Sequence, residues 1–232
     1  MFLSLDPMYW AFLIPGLILA GIASAKTKGT FKKYSRVSAS SRLTGAQAAR
    51  RMLDANGLHD VAIKRVRGFL SDHYNPANRS LNLSPDVHDS QSLSSIGVAC
   101  HEAGHALQHA TGYVPLQIRS AMVPVTQFSS WGSYVFIFLG MFIQSMGMIQ
   151  LGVILFAVGF VFALVTLPVE WDATARAKRQ MVTDGIVVPS EAADAGKVLD
   201  AAFLTYVASA VTALLTLLYY MMRLGLLGGR DD

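Results

Sequence analysis

The chain has 232 residues, of which 53% are hydrophobic and only 15% charged. An average soluble domain carries roughly 25% charge, so this composition weighs against a freely soluble protein and, with its apolar residues clumped, points to the bilayer. The net charge of +4 suits attraction to an anionic membrane surface and calls for no nucleic acid, and a lone cysteine, Cys100, excludes both a disulfide framework and a thiolate zinc site within the chain.

In chain order, residues 7–25 carry no charge and are rich in Trp10, Phe12, Leu13, Ile14, Leu17, Ile18 and Leu19, the length of one helical crossing. Ala23-Ser24-Ala25 has the form of a signal-peptidase site. No basic residue precedes it, however, and Lys26, Lys28, Lys32 and Lys33 follow. That asymmetry predicts an uncleaved anchor with its N-terminus outside and the following chain in the cytoplasm.

Ser35 to Ser41 reads as a polar linker. Thr44-Gly45-Ala46-Gln47 has the pattern of a capping box opening a helix with Ala46, Ala49, Met52 and Leu53 on one face and Gly57 at its end. Residues 61–66 are strand-like, Asp72-His73-Tyr74-Asn75-Pro76 reads as a turn, and Arg79 to Ser84 alternates as a second strand. A connector, 85–92, leads into a helix carrying His101-Glu102-Ala103-Gly104-His105. Positions i and i+4 share a helical face, so both histidines can bind one zinc ion. Such a site has a third protein ligand and an open position for water. The metal acidifies that water, and Glu102 beside it can collect the proton. The surrounding α+β module is too small to bury much core alone.

Between Arg119 and Glu170 lie about 50 residues without charge or histidine, enough for two spans, 123–145 and 148–167, joined near Gln144-Ser145-Met146-Gly147 as a helical hairpin. The stretch 170–200 reads as helix, loop and helix with the break at Asp184-Gly185, and 201–222 as a fourth span. The basic residues near span ends, Lys26, Lys28, Arg119, Arg176 and Lys197, place the intervening segments in the cytoplasm and put the hairpin turn and the Gly228-Gly229-Arg230 tail outside.

The third ligand follows by elimination. The metzincin pattern needs glycine and histidine where Gln108 and Thr111 stand. His109 lies about 12 Å along the helix axis from His101, too far to share an ion, and reads as structural or supporting. The chain has three glutamates, Glu102, Glu170 and Glu191. Glu191, in Pro189-Ser190-Glu191, reads as an exposed residue at a helix start. The hairpin returns Glu170 to the face where the motif helix meets the membrane, giving a His-His-Glu zincin set.

The chain resembles the YugP-type membrane zinc metallopeptidases of bacteria. The likeness is carried by Leu43-Thr44-Gly45, Asp72 to Pro76, Ser94 to Gln108, Thr166-Leu167-Pro168-Val169-Glu170 and Ala201 to Val207. More distantly it is similar to HtpX-like and CAAX-prenyl proteases, in which a membrane hairpin separates H-E-x-x-H from a glutamate opening E-[FW]-x-A-D. Glu170-Trp171-Asp172-Ala173 fits that pattern, but Thr174 replaces its final aspartate. The partner of His101 or His105 behind the metal is therefore open, with Asp172 and a backbone carbonyl as alternatives.

The expectation is a mainly α membrane protein with about four transmembrane helices and a small α+β cytoplasmic zincin-like module. Its parts are an anchor at 1–26, the module at 27–120, a hairpin at 121–169, a cytoplasmic segment bearing the third ligand at 170–200, and a last helix and tail at 201–232. It is expected to act as a zinc endopeptidase at the cytoplasmic face of the bacterial inner membrane, on peptide or membrane-protein substrates, with no regulatory partner specified. Zinc is held by His101, His105 and Glu170, Glu102 is the general base, and His73, Tyr74 or Tyr206 supplies an oxyanion donor. The 79–84 strand, if an edge, could pair with substrate backbone. The main alternative is a non-catalytic zinc-bound scaffold, which has no need of Glu102. A transporter is disfavoured because the spans hold no charged side chain.

Overall fold

In the computed structural model, which describes residues 6–68 and 71–226, the charge-free run after Asp6 folds as helix α1, Pro7–Tyr34. Asp6 opens it by accepting the Met8 amide at 3.0 Å, and Pro7 occupies the first turn, where a missing N–H costs nothing. There follow α2 (Gly45–Ala55), β1 (Ala62–Arg65), β2 (His73–Asn75), β3 (Ser80–Leu83), α3 (Pro85–His88), α4 (Leu93–Ala110), α5 (Val114–Phe142), α6 (Met146–Thr183) and α7 (Pro189–Arg223). The chain divides into two compact units, one of residues up to 22, 118–167 and 205 onward, the other of residues 23–117 and 168–204.

The first unit holds the apolar lengths of the long helices. Among the described residues α1, α6 and α7 are long and apolar enough to cross a membrane. The sequence reading expected four such helices. The difference is α5, a helix of 29 residues in which Gln117, Arg119, Ser120, Thr126, Gln127, Ser129, Ser130 and Ser133 dilute the apolar content. The α5–α6 turn falls at 143–145, with Gln144 in the left-handed region at φ 58°. Glycine lets this hairpin close. A Cβ on Gly152 would stand 2.6 Å from Ile137 Cγ1 and 2.8 Å from its backbone nitrogen, the close approach that small residues allow in helix pairs. Phe128, Trp131, Phe142 and Ile154 are exposed, an apolar surface that lipid would cover.

The second unit holds the chemistry. The predicted capping box opens α2: the Thr44 hydroxyl accepts the Gln47 amide and the Gln47 side chain accepts the Thr44 amide. Ala48, Ala49, Met52 and Leu53 are buried. The sheet order is β1-β3-β2, with β1 parallel and β2 antiparallel to β3. Two expectations change here. His73–Asn75, read as part of a turn, is strand β2, because pairing with β3 supplies hydrogen bonds that its polar sequence does not advertise. The 79–84 strand is not an edge: β3 is central, wholly buried and paired on both sides, so it has no free backbone to offer a substrate. The 85–92 connector contains the short helix α3.

The core of this unit combines Met52, Leu53, Leu81, Leu83, Leu93 and Ile96 with Met181, Ile186, Ala195 and Val198. The ends of α6 and α7 thus complete a core too small for 23–117 alone. Gly185, at φ 64°, makes the turn expected at Asp184-Gly185. Helix α6 runs unbroken through Pro168, and α7 starts at Pro189, before the apolar stretch expected from 201. The Gly228-Gly229-Arg230 tail lies outside the described residues.

Candidate metal centre

Helix α4 opens at Ser92, whose hydroxyl accepts the Ser95 amide at 3.2 Å, and is buried over most of its length. Its small residues permit that. A Cβ on Gly97 would meet the Ala195 carbonyl of α7 at 3.2 Å, and one on Gly104 would meet the Ala173 carbonyl of α6 at 2.7 Å. The Gly104–Ala173 approach sets His101 and His105 against Glu170. Ligand atoms of these three residues all lie within 4.8 Å of one another. His101 Nε2 is 3.2 Å and His105 Nε2 3.5 Å from Glu170 Oε2. Tetrahedral zinc with ligand bonds of about 2.0–2.1 Å needs donors about 3.3 Å apart, so two imidazoles and a carboxylate at this spacing fit the ion in both chemistry and distance.

Gly104→Ala should therefore do more than loosen packing. The methyl group meets a backbone oxygen that cannot turn away, so α4 must back off α6 at a cost of about 1–3 kcal/mol. Thermal unfolding should show that loss, and chelator competition should show weaker zinc binding. Zinc affinity unchanged from wild type would mean that this helix contact does not set the ligand spacing.

Glu170 lies beyond the apolar part of α6 and is 1% exposed. Burial alone raises its carboxyl pKa, but hydrogen bonds from His101 and His105 outweigh it and hold the group well below the usual range. At His105 burial pushes the imidazole down, and Glu170 reverses the direction so that the net shift is upward. Each effect reflects one tight cluster of donors around a buried carboxylate.

The far sides of the rings answer the question left open by Thr174. His105 Nδ1 contacts Gln108 Oε1 at 2.9 Å. Gln108 Nε2 donates to the Val169 carbonyl at 2.8 Å and to Asp172 Oδ2 at 2.9 Å, and Arg176 Nε donates to the same Asp172 oxygen at 2.6 Å. Asp172 thus reaches His105 only through Gln108, and the backbone carbonyl of Val169 meets the amide, not the ring. Thr174 Oγ1 faces His101 Nδ1 at 3.3 Å. The sequence reading did not assign Gln108 or Thr174 these positions. Their signal was helical spacing, Gln108 one turn after His105 and Thr174 one turn after Glu170.

Glu102, 9% exposed, accepts the Tyr74 amide on Oε2 at 2.9 Å. β2 is therefore an edge strand with its outward amide turned to that carboxylate. The Tyr74 hydroxyl is bonded to His109 Nδ1 at 2.8 Å, which gives His109 a supporting place. His73, exposed, has Nδ1 on the Ser71 carbonyl at 2.9 Å. Tyr206 belongs to the other compact unit. Glu191 accepts the Ser40 amide and hydroxyl at 2.7 and 3.0 Å and caps α7 through the Val188 amide, a clamp on the chain entering α2. Cys100 is fully buried, and burial raises its thiol far above the usual range.

A His-His-Glu donor set in which His105 and Glu170 are buried, in a chain with three helices long and apolar enough to cross a bilayer, has the make-up of a membrane-associated zinc protein. The comparisons agree. The family model described as "Putative neutral zinc metallopeptidase" matches residues 9–225, and the chain belongs to that family. It is 46% identical over 226 residues to the "Putative membrane protease YugP" of Bacillus subtilis (strain 168), covering 97% of this chain and 100% of that protein. No solved structure gives a significant match. Zinc is the metal the family implies, and His101, His105 and Glu170 form a cluster able to hold it.

Proposed function

We propose that the protein is a membrane-embedded zinc endopeptidase that hydrolyses peptide bonds at the cytoplasmic face of the bacterial cell membrane. The observation that carries this reading is the convergence of ligand atoms of His101, His105 and Glu170 within 4.8 Å, and it is supported by Glu102, the residue after His101 on the same helix. His101, His105 and Glu170 are the proposed ligands. When bound, zinc supplies Lewis acidity, which acidifies a water and polarises the scissile carbonyl. Glu102 then takes the proton of the attacking water on Oε1 while the Tyr74 amide holds Oε2. It delivers that proton to the amide nitrogen as the C–N bond breaks, leaving a new carboxyl and a free amine. The edge strand β2, not β3, is the element beside which an extended substrate would lie. It also carries His73 and Tyr74, two of the three residues considered as oxyanion donors. Comparing cleavage of a peptide library by wild type and Glu102→Gln tests the reading against a zinc-bound scaffold, for which the two proteins would behave alike.

In this proposal α5 is the fourth span, and the unit of 23–117 and 168–204 is the cytoplasmic zincin-like module. The support is charge: Lys26, Lys28, Arg119, Arg176 and Lys197 all stand near span ends that a four-crossing topology would assign to the cytoplasm. A cysteine at Gln144 should label from outside intact cells with a membrane-impermeant maleimide, and one at Ser38 only after permeabilisation. Cys100 is buried, so background labelling should be small. The opposite pattern would put the metal centre outside the cell.

A further inference from the structure

We infer that Gln108 is the positioning residue of the metal centre, setting the tautomer of His105 and the backbone at Glu170 through a relay that ends on Asp172 and Arg176. The inference rests on the ligand set proposed above and goes beyond it. Gln108 is 0% exposed, so its polar atoms must be satisfied within the protein. A glutamine amide has a donor end and an acceptor end, and which is which must be settled by its partners.

Here the partners settle it. One end faces the Val169 carbonyl at 2.8 Å and the Asp172 carboxylate at 2.9 Å. Both are acceptors: the first is a carbonyl, and the Asp172 oxygen is the one that already accepts from Arg176 Nε at 2.6 Å. The NH2 group must take that end. A flipped amide would set three oxygens against one another. The other end, Oε1, then faces His105 Nδ1 at 2.9 Å and can only accept. Nδ1 therefore carries a ring proton, which leaves Nε2, 3.5 Å from Glu170 Oε2, as the nitrogen free to give its lone pair when an ion is bound. The direction of donation runs from His105 into Gln108 and from Gln108 and Arg176 into Asp172.

The same amide does a second task. Val169 precedes Glu170 on α6, so the Nε2 hydrogen bond to its carbonyl ties the α6 ligand to the helix carrying the other two. One side chain registers His105 and Glu170 together. This residue stands three positions after the second histidine of the motif, a spacing that puts both on one face of α4.

Removing the Gln108 amide while sparing the ligands tests this. Gln108→Met keeps the length of the side chain but takes away both its acceptor and its donor. Zinc binding, measured by competition with a chromogenic chelator, should weaken about 10–100-fold, the usual effect of losing a partner behind a ligating histidine. Asp172→Asn is the conservative control: its oxygen can take the place of the one carboxylate oxygen that accepts from both Gln108 and Arg176, so the affinity should stay within a few-fold of wild type. Nitrogen NMR of the zinc-free protein with a neutral His105 ring should show Nδ1 protonated in wild type and in Asp172→Asn, and a shift toward Nε2 in Gln108→Met, a change that loosened packing alone would not give. Wild-type affinity or an unchanged tautomer in Gln108→Met would overturn the relay. His105→Ala is run beside them: if it fails to bind zinc the ligand set stands whatever the relay does, and if it binds zinc fully the ligand set itself is wrong.

Discussion

Glu102→Gln should retain about one zinc per chain, as a single three-ligand site implies, and cut no peptide at a measurable rate. The substitution keeps the shape of a side chain that is 9% exposed and leaves an oxygen to accept the Tyr74 amide, now at 2.9 Å from Glu102 Oε2. Folding and the position of β2 should therefore survive. What is lost is basicity. A general base contributes about 10²–10⁴-fold in rate, and a neutral amide cannot receive the water's proton or return it to the leaving nitrogen. The expected result is a zinc-loaded protein whose cleavage, followed by mass spectrometry of a peptide library, falls by at least 100-fold. Equal cleavage by the two proteins, with contaminating proteases excluded, would remove Glu102 from the mechanism.

The second large effect is on the metal. Glu170→Ala should reduce bound zinc from about one per chain to near none, because two imidazoles alone do not complete a protein zinc site. The carboxylate is 1% exposed and contacts both rings through Oε2 at 3.2 and 3.5 Å, so no water-borne group or neighbouring acid can take its place without movement. Glu191 is committed to Ser40, and Asp172 to Gln108 and Arg176. Elemental analysis of the purified variant reads the outcome. Full occupancy would show that another residue, with Asp172 first to be examined, holds the ion.

What could be read from the sequence had local or enumerable causes. The capping box at Thr44 is four consecutive residues, and H-E-x-x-H is a single helical turn. Glu170 could be singled out because the chain has only three glutamates and the hairpin limits where each can go. What could not be read depends on partners distant in sequence. β2 is three polar residues made into a strand by β3 on one side, and by its amide bond to Glu102 on the other. β3 reads like any alternating strand, and nothing in its residues says that both its neighbours are present. Gln108 is a plain glutamine until Asp172 and Val169, more than sixty positions away, define which end of its amide donates. α5 is a different case: its charge-free stretch suggested a span, and among the described residues only α1, α6 and α7 are long and apolar enough to cross a membrane, so its place as a span stays a proposal. Helix α6 passes through Pro168 because one missing amide is a small loss in a helix of 38 residues packed against α4 on its chemical end.

The most direct test of a zinc peptidase built on His101, His105 and Glu170 is a titration. Metal-free protein in liposomes receives zinc in fractions of an equivalent, and cleavage of the peptide library is recorded at each step. The account predicts no cleavage without metal, a linear rise with added zinc, and a plateau at one zinc per chain. Cleavage that is independent of zinc, or one equivalent bound with no peptide cut, would contradict it.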